Sequence, residues 1–112
     1  MPATVPDGAA EIAARIAAAV RAHPDVARLD AGPHGVVASY LPGRRRIAGV
    51  RVGVGTEPVE LAVVVRLGTP LPRLADELAA VVHELVGPVA VEVTFCDVVA
   101  GPEAVPDPSH RP

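Results

Sequence analysis

The chain has 112 residues and a net charge of −3 from ten basic and thirteen acidic side chains, so it fits one small domain and its overall field does not attract nucleic acid. Valine and alanine supply 41 of the 112 residues, against one Phe, one Tyr and no Trp, which excludes an aromatic stacking platform and implies a thin aliphatic core. A single cysteine, Cys96, excludes an internal disulfide and a thiolate-rich zinc finger.

Residues 1–8 read as a loose leader carrying Pro2, Pro6 and Gly8, with Asp7 placed to cap the first helix. Ala9–Ala22 is helix-forming. Ile12, Ile16, Ala19 and Val20 share one face at spacings of three and four. His23-Pro24 stops it, because the residue before a proline avoids the helical region. A short extended piece over Val26–Asp30 and a turn over Ala31–Gly35 precede a strand at Val36–Leu41.

Pro42-Gly43 predicts a hairpin, followed by a strand from Arg46 to about Val54. Its alternation puts Ala48, Val50, Val52 and Val54 on one face, and Ile47, Gly49, Arg51 and Gly53 on the other. A second hairpin through Gly55–Pro58 leads to the clearest strand, Val59–Leu67. There Val59, Leu61, Val63, Val65 and Leu67 mark one face, and Glu60, Ala62, Val64 and Arg66 the other.

Thr69 and Pro70 predict a second helix start, with Pro70 in the first helical position. The helix carries a stripe of Leu71, Leu74, Leu78, Val81, Val82 and Leu85, and Gly87-Pro88 ends it. Val89–Val99 is the last strand. Val89, Val91, Val93 and Phe95 point inward, and a bulge is expected near Asp97. Nothing in its sequence decides between parallel and antiparallel pairing. Residues 101–112 hold four prolines and no apolar period, and read as a disordered tail.

The order predicts an α+β two-layer sandwich: one mostly antiparallel sheet of four to five strands with two helices on one face, within a single domain over residues 9–100. No apolar run approaches the roughly 20 residues of a membrane span, and Met1–Gly8 does not resemble a secretory signal, so a cytoplasmic location is expected.

Chemistry is sparsely signalled. His23, His34, His83 and His110 show no metal-ligand spacing, and no metal or cofactor is expected. Cys96 has no histidine or basic neighbour in sequence to activate it. Ser39 lies outside any nucleophile-elbow motif, and no catalytic residue is assigned. Arg44, Arg45 and Arg46 form the most basic point, a candidate contact for an anion or an acidic partner, with Arg51 and Arg66 as candidate additions. No aromatic adjoins that cluster in sequence. The main candidate is an apolar outer sheet face of Ala48, Val50, Val52, Val54, Ala62, Val64 and Cys96, left open for association.

Several phrases share a pattern: "IAARIAAAVRAHPDVARLD" at 12–30, "IAGVRV" at 47–52, "VELAVVVRLGTPLPRLADELAAVVHELV" at 59–86 and "VAVEVTFCDVV" at 89–99. Their order resembles the bacterial alkaline-shock, or envelope-stress-response, proteins over about 90 residues. Pro24, Val26 and Leu29 match the phrase that closes the family's first helix, and Gly49, Val50 and Val52 match its "GV.V" strand. Asp25 replaces a glycine, Arg66-Leu67 stands where an aromatic is common before Gly68, and the leader shows no clear strand pattern before the first helix. These departures point to a divergent branch of actinobacterial type.

The resemblance implies a non-enzymatic interaction protein. It would act by self-association, as a homo-oligomer, or by binding a membrane-anchored partner at the inner face of the membrane. It implies no small-molecule substrate. The alternative is a small nucleic-acid-binding domain using the Arg44–Arg46 loop, against which composition weighs.

Overall fold

A computed structural model describes residues 7–41, 43, 45–53 and 56–100. The leader's first six residues and the tail 101–112 lie outside them. The first helix, α1, spans Asp7–Arg21, so it takes in the end of the expected leader. Strand β1 is Val26–Leu29, and β2, Ala38–Leu41, pairs antiparallel with β3, Arg45–Ala48. Then come β4, Val50–Arg51, and β5, Val59–Arg66. Helix α2, Leu71–Val86, and strand β6, Val91–Val99, complete the described chain.

The protein is an α+β two-layer sandwich with a mostly antiparallel four-stranded sheet. The β2–β3 hairpin forms a second, two-stranded sheet beside it. Strand β5 is the centre. On one flank β1 pairs with its carboxyl half (Leu29↔Val63) and β4 with its amino half (Val50↔Leu61), both antiparallel. On the other flank β6 runs parallel over the full length, from Val59↔Val91 to Arg66↔Val99. The parallel sense comes from the crossover helix: α2 returns the chain to the end where β5 began.

Both helices pack on the same sheet face. Ile16 and Val20 of α1 and Leu74, Leu78 and Val82 of α2 share one buried cluster with Val59, Leu61, Val63 and Val65 of β5. The helical period explains these contacts, since every third or fourth residue of each stripe faces the sheet. Helix α2 starts at Leu71 with Pro70 as its N-cap, one residue later than expected, and no side chain caps it. Pro72 in the first turn lacks only an amide that had no helical partner.

The expected strand over Arg46–Val54 is broken in two by Gly49. Its φ of +89° is one that side-chain-bearing residues rarely adopt. A Cβ there would also sit 2.6 Å from Leu29 Cβ and 2.8 Å from the Ala62 carbonyl oxygen. Gly49 donates its N–H to Val37 O (2.8 Å) and accepts the Ala62 N–H (2.9 Å). The chain leaves the hairpin and enters the main sheet at this one residue.

Candidate interaction site

The turn at Gly49 redistributes the expected valine face. Val50 belongs to the helix-covered core, and Val52 packs against that core, as does Ile47 from β3. Ala62 and Val64 stand on the opposite side of β5, and both are 0% exposed. Ala48 is half-buried in the hairpin, opposite Ala38. Val54 lies outside the described residues. The seven residues therefore do not form one surface, and the centre of the sheet's outer face is closed.

The protein's own chain lies over that outer face. Beyond β1, Asp30 donates its N–H to Ala62 O (3.0 Å), and the chain then loops out and back. The loop is closed at its base by Val37 N–H to Ala31 O and at its tip by Gly35 N–H to Gly32 O, both 3.0 Å. The Gly32 backbone reaches the Cys96 sulfur across the sheet. Burial, and then the Asp30 charge, push the Cys96 thiol up, away from the thiolate that nucleophilic chemistry needs.

The arginine cluster is divided as well. Arg45 and Arg46 are exposed on β3, and Arg44 lies outside the described residues. Arg46 pairs with Tyr40 across the hairpin, its guanidinium 5.9 Å from the ring centre, and it donates to Gly35 O (3.2 Å). Tyr40 is 50% exposed. An aromatic therefore does adjoin the arginines, brought there by a hairpin register that sequence spacing alone did not reveal. Arg51 pairs with Glu60, and Arg66 donates to Pro24 O (2.9 Å), so neither joins the cluster.

The remaining polar candidates have structural partners. Ser39 is buried and donates its hydroxyl to Val50 O (2.6 Å), tying β2 to β4. His23 Nδ1 accepts the Asp25 N–H (3.0 Å), which leaves the proton on Nε2, directed at Glu77 Oε1 (2.7 Å). This bond joins the end of α1 to α2. The His23 hydrogen bond first, then Arg73, hold the Glu77 carboxyl below the usual carboxylate range. His83 Nε2 donates to Val89 O (2.8 Å). Among the described residues no three His, Cys, Asp or Glu side chains converge as a metal-binding group.

Among the described residues the far edge of β6 is open. Its inward residues Val91, Val93 and Phe95 pack against the core yet are only half-buried. Val98 is 45% exposed and Leu67, just beyond β5, is 75% exposed at the same end of the sheet. Among the described residues no strand pairs with β6 except β5.

The fold and this edge define a small α+β domain in which one long strand, among the described residues, is paired on one side alone. Comparison with protein-family models, curated proteins and solved structures gives no match. No described helix is long and apolar enough to cross a membrane.

Proposed function

We propose that the chain is a non-catalytic interaction protein, acting by self-association or by binding a membrane-anchored protein partner. The observation that carries this reading is the nine-residue β6 with an unpaired edge and a half-buried apolar inner face. An edge of this kind is a template for another chain, and short strands, prolines or lysines normally blunt it. Before its bulge, over Val91–Phe95, strand β6 has no Pro and one charged side chain, Glu92. The likeness to alkaline-shock proteins agrees with this reading, and a membrane-anchored partner would bring the chain to the inner face of the membrane.

Sedimentation from micromolar to millimolar concentration, with crosslinking and membrane fractionation in cells, tests the proposal. Association in at least one of these settings is expected. A chain that stays monomeric throughout and crosslinks to nothing overturns it.

A second reading rests on the β2–β3 hairpin, where exposed Tyr40 stands beside Arg45 and Arg46. A base could stack on the ring while the arginines meet phosphates. RNA and DNA binding at low salt, lost when Arg44, Arg45 and Arg46 are replaced by Ala, is its expected signature. No binding at low salt ends it.

A further inference from the structure

The direction of the unpaired backbone groups on β6 is set by its ladder. Val59 donates its N–H to Ala90 O (2.9 Å). In a parallel pair each bonded residue bridges two alternate residues of its neighbour. With the register Val59↔Val91, Leu61↔Val93 and Val63↔Phe95, the even-numbered residues Ala90, Glu92, Thr94 and Cys96 therefore face β5. Val91, Val93 and Phe95 turn both N–H and C=O outward. The other flank agrees with this phase, since it is Ala62, an even-numbered residue of β5, that bonds there to Asp30 and Gly49.

The outward row ends at the bulge between Val63 and Val64, where β6 carries one extra residue. Beyond it Val98 N–H is already taken by Asp97 Oδ1 (2.8 Å). The open edge is thus Val91–Phe95, centred on Val93.

We propose that a second copy of this chain occupies this edge, with β6 pairing antiparallel to β6 about a two-fold axis at Val93. The proposal rests on the interaction reading above and names its partner. Three features select the register. Val93 pairs with its own copy and Val91 with the copy's Phe95, so every outward N–H and C=O of the row gains a partner. The inner face then joins six apolar side chains, continuing both cores across the axis. On the outer face each Glu92 meets a Thr94, so no like charges stand opposite. Centring the axis on Glu92 would instead set the two Glu92 carboxylates opposite each other.

The chain's own tail is a poorer occupant. Pro102, Pro106, Pro108 and Pro112 each lack the N–H that a ladder requires.

Thr94 is exposed on the outer face, so its charge can be changed without disturbing the core. Sedimentation equilibrium of the full chain should show a dimer. Thr94→Glu places a carboxylate opposite each Glu92 and should weaken the dimer about tenfold, whereas Thr94→Lys should tighten it about fivefold. Hydrogen exchange should slow at Val91, Val93 and Phe95 as concentration rises, with Thr94 unchanged. Val93→Pro, at an outward amide, should abolish the dimer while the circular dichroism spectrum is kept.

A dimer indifferent to both Thr94 substitutions overturns the register while the interaction reading stands. A monomer at millimolar concentration that still crosslinks in cells overturns the second copy and leaves a different protein as partner. A monomer that crosslinks to nothing overturns both.

Discussion

The two flanks of β5 solve the same bonding problem in different ways. One flank is pieced together from four-residue β1 and two-residue β4, with Asp30 and Gly49 filling the gap between them. The other is a single nine-residue strand. Short pieces leave little backbone exposed beyond them, and the hairpin sits beside β4 through the Ser39 hydrogen bond. The pieced flank is closed at the cost of a tight backbone junction. The continuous flank needs no such junction and, among the described residues, ends in an open row of amides. Constraint and openness are thus segregated to opposite sides of one strand.

The largest effect is expected where the pieced flank is tightest. Gly49→Val should destabilise the fold by about 4 kcal/mol, from the positive φ and the collision with Leu29 and Ala62, as read by urea denaturation. A loss below about 1 kcal/mol would mean that the junction yields, and the contrast between the flanks would fail.

Two neighbouring prolines test the continuous flank. Thr94→Pro removes an amide directed at β5 and should cost about 3 kcal/mol. Val93→Pro removes an outward amide and should cost about 1 kcal/mol in the monomer. Equal losses in thermal melts would show that both amides matter equally, against the ladder phase.

Ser39→Ala should cost about 1–2 kcal/mol, because the Val50 carbonyl loses its buried donor. Chemical denaturation would measure it, and a neutral substitution would show that the hairpin does not depend on this tie.

The smallest effect lies away from both flanks, at Glu77. Its carboxyl is held below the usual range in the fold, so its contribution is present above the unfolded-state value and is lost as pH falls through the folded one. Glu77→Gln should therefore lower stability at neutral pH and converge with the parent in strong acid. A difference that persists unchanged through the acid range would remove the carboxylate as its cause.

Legibility from sequence tracked periodicity. The α2 stripe was readable because Leu74, Leu78 and Val82 recur at helical spacing and all face the sheet. The inner face of β5 was readable for the same reason at a period of two. The Arg46–Val54 strand failed because alternation assumes an unbroken pleat, and Gly49 resets it, turning Val50 inward. The burial of Ala62 and Val64 was also illegible, since the loop over their face comes from residues 31–37, far off in sequence. Tyr40 beside Arg46 needed the hairpin register. The outer edge of β6 needed the sense of its pairing, which the crossover helix settles and the strand's own residues do not.

Strand β5 contains five consecutive fully buried residues, Leu61–Val65. Outside the fold, Leu-Ala-Val-Val-Val is an uncharged, β-prone segment of the kind that nucleates aggregation. The sequence brackets it with Pro58 and Glu60 before, and Arg66 and Pro70 after. During synthesis β1 and β4 are made first, so one flank of the hazard can be covered as soon as it emerges. The second flank must wait for α2 and β6. Until residues 91–99 have also emerged this segment is half-covered, a vulnerability set by the order in which the strands leave the ribosome.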